Sequence, residues 1–219
     1  AIKNLKKPNI KIVEDDDKDD ALYDKKEEDR DVVKGAELGN TYHRFMHFYD
    51  FKEKKYNCAK ERNSSVEKIV SSEKIDMFLS SKIGSEMTKA FTDNNLFREQ
   101  KFMKLYSQNE INEYLVDINE KQLDLKKEIL DEKNIIIQGI IDAFYIKKDE
   151  NGKDYIVLVD YKTNAMSKER VDKPKLIKTL AERYKLQLDI YADALKELTG
   201  LEVKEKYLYS FAIDEAIAV

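Results

Sequence analysis

Three charged residues interrupt two apolar runs of the chain. Asp142 lies within IIIQGIIDAFYI, and Asp160 and Lys162 lie within YIVLVDYKT. An unpaired charge buried in an apolar strand is costly, so three of them in one short stretch mark a site. Two carboxylates brought close together repel, and a cation must sit between them. Lys162 supplies one positive charge, and a divalent metal would supply the rest. Elsewhere the chain offers His43 and His47, its only histidines, four residues apart on one helical face. That spacing invites a zinc-protease reading, but Arg44 stands where the H-E-x-x-H motif needs its glutamate base. His47 is read as an ordinary packed or surface residue.

The elements that must position the charges can be read around them. Residues 135–163 form two runs of β-branched and aromatic residues flanking a polar turn at Asn151-Gly152, the pattern of a β-hairpin. Asp160 and Lys162 share a strand face with Ile156 and Leu158, while Tyr155, Val157, Val159 and Tyr161 line the other. Both faces are apolar, which predicts an interior strand covered on each side. Register decides whether the aspartates meet. A two-residue Asn151-Gly152 loop sets Asp142 opposite Tyr161. A three-residue Glu150-Asn151-Gly152 loop, with Gly152 left-handed, sets Asp142 opposite Asp160. The second is the expected register.

Size and composition bound the rest. The chain has 219 residues, of which 38% are charged and 42% hydrophobic. That is the balance of a soluble globular protein, with no run long enough to span a membrane and no signal peptide. Cytoplasmic location is expected. The single cysteine, Cys58, excludes a disulfide framework and a four-cysteine iron–sulfur or zinc site within this chain. The first residue is alanine, which reads as a domain of a longer protein. Residues 14–31 hold eleven acidic and four basic residues, so the remainder carries a net charge of +3. That tolerates nucleic acid without making a basic clamp.

In chain order, residues 1–34 read as an acidic linker, disordered or mobile, and 35–219 as the folded domain. A helix is expected to begin near Gly39, with Asn40 or Thr41 as its N-cap. A second helix is predicted over 66–79, ended near Gly84 and followed by a short helix through Phe91. Residues 97–106 read as a strand, with Glu99 on the same face as Lys101 and Met103. Residues 107–134 read as a charge-rich insertion, and TNAMSKERVDKPK as a polar loop. A strong helical pattern over 176–199 stops at Gly200. Gln187 lies within its apolar stripe, three residues after Tyr184 and four before Tyr191, and needs hydrogen-bond partners. VKEKYLYSFAI reads as a closing strand. No phosphate-binding loop occurs, since Gly152-Lys153 is followed by aspartate, so no ATP site is expected in this stretch.

Taken together, GNTYHRF, FREQKF, QGIIDAF, VDYKTN and QLDIYADAL resemble the ordered motif set of the RecB-type branch of the PD-(D/E)XK nucleases, in particular the nuclease domains of AddA-type helicase–nucleases. The resemblance covers residues 37–211. It implies an α/β fold, a restriction-endonuclease-like mixed sheet flanked by helices. It also implies roles. Asp142 and Asp160 match the acidic metal ligands and Lys162 the signature lysine. His43 matches the metal-binding histidine of the G-x-x-x-H motif that begins at Gly39. The backbone carbonyl of Tyr161 is expected at the metal, and Glu99 matches the strand glutamate that supports the site. Gln187 and Tyr191 match a Q-x-x-x-Y motif that positions the DNA backbone. The implied cofactor is Mg²⁺, or Mn²⁺ given one imidazole among oxygen ligands. The implied partners are single-stranded DNA fed by a helicase, the rest of an AddA-like chain and an AddB-like partner, acting at broken DNA ends. The insertion over 107–134 is longer than the family's usual connection. A nuclease-like module that holds DNA or a partner without cutting is the rival reading.

Overall fold

The structure, a computed structural model, describes residues 10–12, 28–58, 66–107, 109–110, 134–163 and 172–219. The readings of 164–171 as a loop and of most of 107–134 as an insertion fall outside the described residues. The chain divides into two compact units, one of residues 1–14 with 101–140 and one of residues 15–100 with 141–219.

The smaller unit holds a short strand, β1 (Ile10–Ile12), paired in parallel with the first residues of β5 (Asn134–Lys148), from Ile10↔Ile136 to Ile12↔Gln138. This strand lies inside the segment read as an acidic linker. Only three residues long, it offers no pattern to weigh against the charge density around it, and its definition comes from backbone pairing with a distant strand.

The larger unit carries the chemistry. Its helices are α1 (Glu28–Phe48), α2 (Val66–Ile69), α3 (Ser72–Ser80), α4 (Lys82–Thr92) and α5 (Lys173–Thr199). A small ribbon, β2 (Tyr49–Asp50) with β3 (Lys55–Tyr56), follows α1. The strand β4 (Leu96–Ser107), which begins in this unit, pairs with β5. From β5 the mixed sheet continues antiparallel to β6 (Asp154–Lys162), parallel to β7 (Val203–Ser210) and antiparallel to β8 (Glu215–Ala218).

The β6 strand is interior, as its two apolar faces require. Tyr155, Val157, Val159 and Tyr161 pack into a core with Met46 of α1, Phe78 of α3 and Met87 of α4. On the opposite side of the sheet, Leu208 and Ile217 meet Leu180 and Tyr184 of α5. Burial of this strand from both sides fixes where Asp160 and Lys162 can point.

Several expected boundaries move. The first helix opens at Glu28, eleven residues before Gly39 and within the segment read as a linker. Thr41 is no N-cap; its hydroxyl donates to the Glu37 carbonyl at 2.7 Å, a bond made within a continuing helix. The helix expected over 66–79 is broken by Ser71, whose side chain accepts the Lys74 N–H and starts α3. The final strand turns back after Ser210 to form β8, with Asp214 at φ 54 in a turn that carries no glycine.

Gly84 does not end a helix. It sits in the first turn of α4, and the true break is Ser81, whose side chain accepts the Gly84 N–H. Its role is close approach: a Cβ at Gly84 would lie 2.0 Å from the Phe78 carbonyl oxygen. Gly84→Ala must push α3 and α4 apart. It is expected to destabilise the domain by about 3 kcal/mol, a core overpacking cost, read as a lowered midpoint in urea denaturation.

Candidate active site

The site begins with a turn. The Asp149 N–H donates to the Lys153 carbonyl and the Gly152 N–H to the Asp149 carbonyl, both at 2.9 Å. The Asp149 carboxylate accepts the N–H groups of Asn151 and Lys153, each at 3.0 Å. Gly152 has φ 75, a conformation open to glycine at little cost. These bonds give the three-residue loop Glu150-Asn151-Gly152 and the register Lys148↔Asp154 through Ala143↔Val159. One further step along that register sets Asp142 beside Asp160, as expected.

At that step the ladder opens. The Tyr161 N–H donates to Asp142 Oδ2 at 2.7 Å. A carboxylate therefore occupies the acceptor position that the neighbouring strand's carbonyl would fill. The other oxygen, Asp142 Oδ1, lies 2.9 Å from His43 Nδ1. With Asp142 ionised, Nδ1 carries the proton of that bond. Helix α1 thus delivers His43 from its C-terminal half onto the end of the hairpin.

Glu99 arrives by a different route. Glu99 is half-buried and has φ 53, a left-handed backbone conformation within a strand. A non-glycine residue in the left-handed region costs about 1–2 kcal/mol, and such strain concentrates at functional sites. Its neighbour Arg98 is itself anchored. The Arg98 guanidinium donates to the carbonyls of Met46 and Tyr49 at 2.9 and 2.8 Å, at the C-terminal end of α1. It also lies 5.2 Å from the Phe91 ring centre and 5.7 Å from that of Phe51. Sequence reasoning misses Arg98. Its signal is four polar residues in a row, Arg98, Glu99, Gln100 and Lys101, which depart from an apolar–polar alternation.

Ligand atoms of His43, Glu99 and Asp142 all lie within 4.8 Å of one another. This tight group contains Glu99, read only as a supporting residue, and omits Asp160. Asp160 is instead engaged by its neighbours. Asp160 and Lys162 are each 1% exposed, with Lys162 Nζ 3.1 Å from Asp160 Oδ2. Lys162 Nζ also lies 4.6 Å from the Tyr184 ring centre. Burial, and then the Arg183 guanidinium, push the Lys162 amine down to about 7, with the adjacent Asp160 carboxylate pulling the other way. A side chain poised there can carry or release a proton near neutral pH.

Gln187 finds its hydrogen-bond partners here. Its amide donates to the Tyr191 hydroxyl at 2.9 Å and reaches Asp160 Oδ1 at 3.5 Å, a long contact. Burial, followed by the field of Asp160, raises the Tyr191 hydroxyl well above its ordinary value, and Asp142 and Glu99 add to the effect. Of Tyr161, the N–H meets Asp142 and the ring is buried in the core beside Phe78. His47 stays apart, packed edge-on to Phe48, with burial and then Arg98 lowering its pKa. Two carboxylates and one imidazole so closely grouped fit a hard divalent cation.

The comparisons with known proteins agree with this geometry. A family model described as the PD-(D/E)XK nuclease superfamily matches residues 19–217. The chain is similar to the A subunit of the ATP-dependent helicase/nuclease of Clostridioides difficile (strain 630), 32% identical over 207 residues, which cover 90% of this chain and 15% of that protein. The protein of the same name from Clostridium novyi (strain NT) is 35% identical over 202 residues, 85% of this chain and 14% of that protein. That from Clostridium perfringens (strain 13 / Type A) is 35% identical over 153 residues, 69% of this chain and 10% of that protein. The chain therefore spans about one seventh of the length of the first two relatives. A matching family model over nearly its whole length, a mixed sheet between helices, and carboxylates, lysine and histidine gathered at the end of one hairpin lead to one conclusion: the chain belongs to the PD-(D/E)XK nuclease superfamily.

Proposed function

We propose that this domain hydrolyses DNA phosphodiester bonds in a reaction that depends on Mg²⁺ or Mn²⁺. The observation that carries the reading is the opened end of the hairpin. There Asp142 takes the His43 imidazole and the Tyr161 N–H, one strand away from the buried Asp160–Lys162 pair. His43 and Asp142 would hold the cation, with Asp160, Glu99 and the Tyr161 carbonyl completing the set. Bound there, it supplies a Lewis acid for the scissile phosphate and lowers the pKa of water. Lys162 orients the attacking water, accepts its proton or offsets charge that develops on the phosphate. Gln187, tied to Tyr191, presents an amide that holds the DNA backbone beside Asp160.

The similarity to helicase/nuclease relatives supports a place within a larger cytoplasmic machine. In that setting the domain acts as an exonuclease on a single strand delivered by an AddA-like helicase. An AddB-like chain is its partner, and the task is processing of double-strand breaks for recombinational repair. A nuclease assay on end-labelled single-stranded DNA tests the reaction. Cleavage is expected with Mg²⁺ or Mn²⁺ and none with EDTA. Cleavage that survives EDTA overturns the reading. DNA binding without cleavage in any divalent cation leaves a holding module in its place.

A further inference from the structure

Phe97, near the start of β4, is 41% exposed. It stacks on Phe144 of β5 with ring centres 4.7 Å apart and planes 11° from parallel. Phe144 is itself buried. One face of Phe97 is thus backed by a buried ring, while much of the residue remains open to solvent. A single exposed phenylalanine is ordinary on a protein surface. Its position here is not. Phe97 precedes Glu99 by two residues on one strand, and Phe144 follows Asp142 by two on the next. At the rise of a β-strand each step is about 7 Å. Asp142 and Phe144, two apart, lie on one side of β5. The stacked rings therefore lie one strand repeat from Glu99 on β4 and from Asp142 on β5.

We infer that Phe97 is a base-stacking platform. A phosphate held at the cation that the carboxylates would bind brings its own unpaired base over the outer face of Phe97, with the buried Phe144 ring beneath as a backing. Every base has a π-face, so such stacking tolerates any sequence. A base inside a duplex has both faces covered by its neighbours, so the platform selects single-stranded substrate. The inference rests on the nuclease reading and assigns that site its preference for unpaired DNA.

The chain contains no tryptophan, so Phe97→Trp introduces a lone tryptophan at the platform, excited at wavelengths beyond tyrosine absorption. A short single-stranded oligonucleotide, bound with Ca²⁺ in place of Mg²⁺, is expected to change its emission and to bind about as tightly as it binds wild type. Phe97→Leu keeps an apolar side chain but loses the ring, and is expected to weaken binding about tenfold, within the range for one stacked base. An oligonucleotide with an abasic site at the stacked position is expected to bind both proteins equally. Thermal unfolding of Phe97→Leu checks that the fold survives. If wild type binds and cleaves while Phe97→Leu matches it, the platform alone is overturned. Unchanged emission at saturation, or a gap that persists on the abasic oligonucleotide, does the same. A wild type that neither binds nor cleaves overturns the nuclease reading, and the platform with it.

Discussion

Lys162→Met is expected to lower divalent-cation-dependent cleavage by at least about a thousandfold, the scale of losing a positioned proton-transfer or charge-stabilising group. The side chain is enclosed by β6, the Tyr184 ring and Asp160. No water can therefore take up the same position with the same charge. Asp160→Ala is expected to match it, because the two groups act as one unit across 3.1 Å. Removing one member of a buried pair strands the other and can destabilise the fold. The double variant Asp160→Asn/Lys162→Met removes both charges together and controls for this. It is expected to stay folded in EDTA by circular dichroism and to remain inactive. Single-turnover rates near wild type for both single variants would remove this pair from the chemistry.

The second large effect concerns the metal. Mn²⁺ at about one hundred times its dissociation constant is expected to stabilise the domain by about 2.7 kcal/mol, a rise of roughly 5–10 °C in thermal midpoint for a domain of this size. His43→Ala and Asp142→Asn are expected to abolish that rise. In the second variant the side-chain amide oxygen can still accept the Tyr161 N–H, so its metal-free midpoint should change little. Glu99→Gln tests the membership that the geometry revised. With its carboxylate in the tight group of ligand atoms, the variant is expected to take up Mn²⁺ about tenfold more weakly, as measured by calorimetry. A full thermal shift in Asp142→Asn would place the cation elsewhere.

How much of this could be read from residues alone differs from element to element. The hairpin was legible because its turn chemistry is local: Asn151-Gly152, with Asp149 closing the loop, determines the register within five residues. The long α5 helix was legible for a similar reason, its apolar repeat ending at a left-handed Gly200. Gly84 was misread because what limits it is a carbonyl on the preceding helix, an approach no window of sequence contains. β8 was hidden because its turn uses Asp214 in place of a glycine signal. At the site, the identities of His43, Asp142, Asp160 and Lys162 followed from charge in apolar surroundings and from motif order. The hairpin register that aligns Asp142 with Asp160 was legible too, whereas the close grouping of Glu99 with His43 and Asp142 was not. Glu99 sits in the ligand cluster at a left-handed backbone position, and its neighbour Arg98 bonds carbonyls at and just after the end of α1, about fifty residues earlier in the chain. Such devices depend on tertiary contacts and leave only a broken alternation in the sequence.

The anomalous-scattering map of crystals grown with Mn²⁺ tests the central assignment most directly. The expected result is one strong peak at coordination distance, about 2.1 Å, from Asp142 and His43, with the Asp160 and Glu99 carboxylates around it and Lys162 alongside. A map with no peak there, in a protein that still cleaves DNA with Mn²⁺, would contradict it. So would a peak bound by other residues while His43 and Asp142 remain hydrogen-bonded to each other.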